Sequence, residues 1–376
     1  MSDQFDDIRP YNDAELPSVL DRIVRNKWLV SGARAIFWPH CPKILHPFVD
    51  PVVKSNLRKR LRAMKTVDEF QRKLIVGQIL QKIVEKTTQG LTASGTEHLR
   101  RDQSYIYISN HRDITLDSAL INYLLSHADL NIAEIAFGDN LLVNEFVSDL
   151  IRINKGIIVR RNLPPREQIK AWYHLSRYIW HTTHQGNSVW IAQREGRAKD
   201  GNDETNPAII KMLYLSQREK GVSFADFVRQ VNVVPVSISY ELDPCDRMKA
   251  WELYRKKKRG FHKKRKNEDL ISMFAGLTGF KGRVHIAFAE PLRGEFADEK
   301  EVALAVDRDI IRLYRQWPSN YIAYDTVNQT TRFRDKYSVK EMMRFLKRFR
   351  GLSDPVKALA YSIYANSVKN QAGYSS

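Results

Sequence analysis

Along the middle of the chain, apolar residues switch repeatedly between a period of two and a helical period. Tyr105-Ile-Tyr-Ile-Ser109 interleaves aromatic and β-branched residues and predicts a buried strand. Residues 117–125 then place Leu, Ile and Tyr at helical spacing, with Asp117 at the start of the predicted helix. The same alternation predicts strands over residues 91–94, 131–137, 155–161, 187–193, 231–240 and 282–289. Helices are predicted over residues 68–88, 141–150 and 165–183. Strands that alternate with helices in this way predict an α/β fold, with a mostly parallel central sheet flanked by helices.

The ends of the chain read differently. Residues 1–65 form a helical N-terminal arm in short pieces, because Pro39, Pro42 and Pro47 interrupt the segment from Phe37 to Phe48. Trp28, Phe37, Trp38 and Phe48 lie there among Arg25, Lys27, Arg34 and Lys43, which fits a packed arm or a membrane interface. Residues 66–317 make the α/β domain, and residues 318–376 basic amphipathic C-terminal helices. One of these, over 337–350, carries Val339, Met342, Met343, Leu346 and Phe349 on one face. Its cations suit either an anionic bilayer or docking on the core.

Charge changes the picture more than composition does. An apolar content of 43% is that of a globular protein, whereas a net charge of +18 calls for an anionic partner. Nine cations fall within the twelve residues 255–266, a run whose plainest reading is a solvated loop. With an anionic bilayer as partner, Lys256, Lys257, Lys258, Lys263 and Lys264 would contact it. No nucleic-acid motif accompanies the charge, so a non-enzymatic basic module that binds nucleic acid or an anionic membrane through residues 255–266 is the lesser alternative. Two cysteines, Cys41 and Cys245, exclude a disulfide framework and point to a reducing cytosol. The acidic start of the chain is not a signal peptide, and no apolar run reaches membrane-spanning length.

Candidate chemistry collects at strand ends. His111 and Asp117 follow one predicted strand, Arg160 and Arg161 end another, and Gln193-Arg-Glu-Gly-Arg197 ends a third. Parallel strands bring their carboxyl ends to one rim, so these groups are expected to converge. An imidazole oriented by a carboxylate takes a proton from a hydroxyl, and guanidiniums bind phosphate in a bidentate fashion. The set therefore suits activation of a hydroxyl on a phosphorylated molecule. Asp113 is an alternative partner for His111, and the His/Asp set lacks the spacing of a metal site.

Four blocks, in order, resemble the glycerolipid acyltransferase superfamily: His111 through Asp117, Gly156-Ile-Ile-Val-Arg-Arg161, Glu195-Gly196-Arg197 and Val233-Val-Pro-Val236. The segment 282–292, ending Phe-Ala-Glu-Pro-Leu, is also similar, and the resemblance spans roughly residues 90–295. Two departures stand out. Five residues rather than four separate His111 from Asp117, and the third block is one residue short.

The resemblance implies direct acyl transfer from a thioester, carried by coenzyme A or acyl carrier protein, to glycerol 3-phosphate or 1-acylglycerol 3-phosphate. Another lysophospholipid or a lipidated amino acid is the alternative acceptor. His111 would be the base and Asp117 its orienting acid. Arg160, Arg161 and Arg197 would hold the acceptor phosphate, Glu195 and Gly196 would shape that site, and Pro235 would set a turn beside it. No cofactor or metal is implied, and the enzyme would work as a peripheral protein on the cytoplasmic face of a membrane.

Overall fold

The structure, a computed structural model, describes residues 4–38, 40–263 and 267–374, and only the backbone of residues 28 and 35–37. Among the described residues, seven strands form one sheet: β1 (Leu91–Ser94), β2 (Ile106–Ser109), β3 (Glu134–Gly138), β4 (Gly156–Val159), β5 (Val189–Ala192), β6 (Val233–Tyr240) and β7 (Val284–Phe288). Their order is β1-β7-β6-β2-β5-β3-β4. β6, β2, β5, β3 and β4 run parallel. β7 is antiparallel to β6 and carries β1 parallel to itself. The sheet is thus mostly parallel, as the alternating pattern predicts.

The alternation of β2 explains how the layers form. Ile106 and Ile108 point into one core with Ile157, Val189, Ile191 and Val233, under the helices Pro165–His184, Pro207–Arg218 and Glu299–Leu313. Tyr105 and Tyr107 point the other way, into a core with Trp190, Val234 and the helix Leu116–His127. β2 and β6, in the middle of the sheet, are buried on both faces, the expected environment for parallel strands, whereas β1 at the edge is largely exposed.

The predicted helix over 68–88 is observed over residues 67–87, and Phe70–Leu80 within it is π-helical. The wider turn directs Phe70 and Leu74 into the N-terminal arm, and Val76 and Leu80 onto the sheet. In the arm, Leu16–Arg25 and Lys27–Phe37 are separate helices, broken at Asn26. His46–Arg62 is a further helix that the prolines conceal, since Pro47 sits in its first turn, where a missing N–H costs nothing.

One basic segment differs from its plainest reading, and another follows one of its two. Arg255 to Arg259 is no loop but the last turn of the helix Asp246–Arg259, where cations complement the helix dipole. Lys264 lies outside the described residues. In the helix Val339–Arg348, Phe345 is buried, and Phe349 beyond it is too. Both pack with Tyr361 and Tyr364 of the helix Asp354–Tyr374. That apolar face docks on the protein itself, while Val339 and Met343 stay exposed. Among the described residues, no helix is long and apolar enough to cross a membrane.

Candidate active site

β2 ends at Ser109, in register with Ala192 of β5 and Val236 of β6. Beyond it, the Asn110 side chain accepts from Ile238 N–H at 2.7 Å and donates to Ile238 O at 3.0 Å, tying the loop to β6. His111 follows, its Nδ1 2.8 Å from Asp117 Oδ2. The same carboxylate oxygen accepts from the backbone N–H groups of Arg112 at 2.6 Å and Asp113 at 2.9 Å, and Tyr240 donates to Oδ1 at 2.9 Å. With Oδ2 already an acceptor twice over, Nδ1 of His111 is fixed as the donor. Nε2 is left as the basic nitrogen.

The extra residue between His111 and Asp117 is absorbed by this loop, whose backbone wraps the carboxylate. Asp113 is not the partner of His111. Its Oδ1 instead accepts from Thr115 N–H and Leu116 N–H, each at 2.9 Å, at the start of the helix. Burial, reinforced by the charge of Asp117, pushes the Asp113 carboxyl above its ordinary value. Behind the loop, Arg112 is ion-paired with Asp203, and Lys249 donates to Arg112 O at 2.7 Å while pairing with Asp243. These buried charges are all matched, as a low-dielectric interior requires.

His111 is 13% exposed and lines a cavity of about 110 Å³, with Trp190 edge-on to its ring at 5.7 Å. Arg161, Arg194, Gly196, Arg197 and Lys199 line the same cavity. Arg161 arrives from the end of β4, against Gly138 of β3, where an added Cβ would lie 2.7 Å from the guanidinium carbon. Gly196 has φ +74°, the left-handed region that favours glycine, and so turns the chain back after β5. Nη1 of Arg197 is buried with no hydrogen-bond partner. A buried cationic donor without an acceptor is costly.

Three predicted residues fall elsewhere. Arg160 pairs with Asp7 at 2.8 Å and does not line the cavity, because successive residues of a strand point to opposite faces. Glu195 is exposed, 3.5 Å from Arg161, and lines an adjoining cavity of about 250 Å³. Pro235 sets no turn. It lies inside β6, opposite Ile108, and its carbonyl accepts from Ala289 N–H at 2.9 Å.

Arg194, Lys199 and Tyr240 were missed by the sequence reading. Arg194 stands in the same block as Glu195, and its place one residue past a strand end was an available signal. Lys199 pairs with Glu252, and burial lowers its pKa. A larger cavity, of about 830 Å³, lies between the helices Pro318–Asn328 and Val339–Arg348 and holds none of the predicted residues. Glu252, His262 and Glu268 bring ligating atoms within 4.8 Å of one another, but Lys199 already supplies the positive charge at Glu252.

The Acyltransferase family model matches residues 90–239, which run from the start of β1 to the last residues of β6. These residues form an acyltransferase domain. The match takes in every predicted site residue from His111 to Pro235. Among solved structures, the 1-acyl-sn-glycerophosphate (LPA) acyltransferase PlsC from Thermotoga maritima is similar at 17% identity and a TM-score of 0.42. That similarity covers 81% of this chain and 98% of the other. No curated protein matches the chain.

Proposed function

We propose that this acyltransferase moves a fatty acyl group from a thioester to a hydroxyl of glycerol 3-phosphate or 1-acylglycerol 3-phosphate. One observation carries the reading: the His111–Asp117 pair opens onto the same small cavity as Arg161, Arg194 and Arg197. His111 Nε2 removes the acceptor proton as the acceptor oxygen bonds to the thioester carbonyl carbon. Asp117 stabilises the imidazolium that forms. Collapse of the tetrahedral adduct breaks the carbon–sulfur bond, and the proton passes from the imidazolium to the departing thiolate of coenzyme A or acyl carrier protein. The guanidiniums bind the acceptor phosphate and fix its hydroxyl near the base. The adjoining cavity, with Trp172, Leu175, Ile191 and Met212 in its wall, offers apolar surface to a chain.

In this reading the enzyme is a peripheral protein on the cytoplasmic face of a membrane. Exposed Trp38, Ile44 and Phe48 in the arm, and exposed Lys256, Lys257, Lys258 and Lys263, support it. The test is transfer from a labelled acyl thioester to a panel of acceptors with and without a phosphate. The expected result is acylation of glycerol 3-phosphate or its 1-acyl derivative, with little transfer to glycerol or monoacylglycerol. Equal transfer to phosphorylated and unphosphorylated acceptors would remove the phosphate-binding role of the arginines.

A further inference from the structure

The helix Glu268–Thr278 is built inside out for a surface helix. Its solvent face carries Leu270, Ile271 and Phe274, the last two 58% and 66% exposed. Its buried residues are Ser272 and Gly276 instead, with Leu277 alone among its large apolar residues packed against the sheet core. Phe261, 65% exposed, precedes the helix, and exposed Phe280 follows it. A helix that only covered a core would place these residues the other way round.

The inward face explains why the helix is held in this orientation. Gly276 lies against Asp113, so closely that a Cβ would stand 2.0 Å from its Oδ2, and the Ser272 carbonyl accepts from Cys245 Sγ at 3.5 Å. Asp269 lines the His111 cavity. The helix is thereby fastened over the loop that carries the base, with its apolar stripe turned outward beside the cavity.

Two observations identify what covers that stripe. The segment leading into it carries exposed Lys256, Lys257, Lys258, Arg259 and Lys263, so apolar and cationic surfaces adjoin. A convex helix with large apolar side chains and neighbouring lysines matches the interface of an anionic bilayer, where chains take the rings and headgroups take the charges. The exposed apolar residues of the arm also border the same support. Trp38 lines a cavity with Gln81, Lys82 and Glu85, and the Glu268–Thr278 helix packs against that same helix, Gln81–Thr87.

We propose that Ile271 and Phe274, with Phe261 and the lysines beside them, dock the mouth of the active site onto an anionic bilayer. An amphiphilic acceptor then enters the cavity from the lipid phase. The lateral-entry step rests on the acyltransferase reading, whereas the docking surface stands on its own.

The experiment uses the full chain and the double variants Ile271→Glu/Phe274→Glu and Ile271→Ser/Phe274→Ser. The serine pair separates lost apolar surface from added negative charge. The wild type is expected to sediment with phosphatidylglycerol-containing vesicles and weakly with phosphatidylcholine alone. Both variants should bind the anionic vesicles more than about tenfold less tightly. Transfer to a short-chain, water-soluble lysophosphatidate should be unchanged, and transfer to a bilayer-embedded acceptor should fall by a similar factor. Vesicle binding that survives in both variants overturns the proposal. So does a wild-type dimer without vesicle affinity that the variants convert to monomer, because the stripe would then cover a second copy. If the wild type acylates neither acceptor, the acyltransferase reading fails by itself, and sedimentation still decides the docking surface.

Discussion

Replacing Asp117 by asparagine or by alanine separates its electrostatic role from its structural one. Oδ2 receives three donors, from His111 Nδ1 and the backbones of Arg112 and Asp113, and Oδ1 receives one from Tyr240. In Asp117→Asn the three donors select the amide oxygen for the Oδ2 position, so the amide nitrogen faces the Tyr240 hydroxyl, which accepts from it. The loop and the His111 tautomer are preserved, but the negative charge is gone. At about 4 Å and an effective dielectric near 20, that charge is worth about 4 kcal/mol to the imidazolium. Turnover should therefore fall by roughly 10² to 10³. Stability should change by less than about 2 kcal/mol. Asp117→Ala leaves four buried donors without an acceptor at about 1–3 kcal/mol each, partly relieved by rotation of the ring and the hydroxyl. A net loss of about 3–6 kcal/mol follows. For 376 residues the unfolding entropy is about 0.8 kcal/mol/K, so the melting temperature should drop by about 4–7 °C. Single-turnover thiol release and thermal melting measure the two effects. The reasoning fails if Asp117→Asn keeps turnover within tenfold of the wild type while its melting temperature is unchanged.

Three further outcomes follow from the geometry. Arg161→Ala should raise the acceptor KM about tenfold to a hundredfold with a smaller effect on kcat, whereas Arg160→Ala, which removes only an exposed pair with Asp7, should leave both within a factor of two or so. Gly138→Ala should imitate Arg161→Ala more weakly, since its methyl displaces the guanidinium; an unaltered KM in steady-state kinetics would show that Arg161 does not bind from where it stands. Burial lowers the Lys281 ammonium to about 8 from an ordinary 10.5, so the unfolded chain binds more protons between these values and stability rises with pH across that window. Relative to the wild type, Lys281→Met should therefore gain stability at pH 7 and lose up to about 3 kcal/mol of that gain by pH 10.5, as read by denaturant melts.

The legible part of this protein was the part governed by local periodicity. Alternation in 105–109 and 231–240 defined β2 and β6, and parallel strand ends place His111, Arg161, Gly196 and Arg197 around one cavity, with Asp117 bonded to His111. Arg160 stands apart from that cavity: two adjacent arginines look alike in sequence, and Asp7 pairs with the one that faces away. Pro235 reads as a turn former, yet in β6 it contributes its carbonyl to Ala289 and sits within a fully buried strand. Pro47 hid the helix His46–Arg62 for the opposite reason: its place in the first turn makes it compatible with the helix it seems to forbid. Tyr240 and Lys199 were beyond local reasoning, since their roles come from contacts with Asp117 and Glu252, far away in the chain.

The central claim is that His111 is the base for transfer to a phosphorylated hydroxyl. Its most direct test is the rate of acyl transfer from a labelled thioester to 1-acylglycerol 3-phosphate and glycerol 3-phosphate by His111→Ala, beside the wild type and at matched melting temperature. The predicted result is transfer by the wild type to at least one acceptor and a loss of at least about a thousandfold in the variant. A folded His111→Ala protein that transfers acyl groups at near the wild-type rate would contradict it.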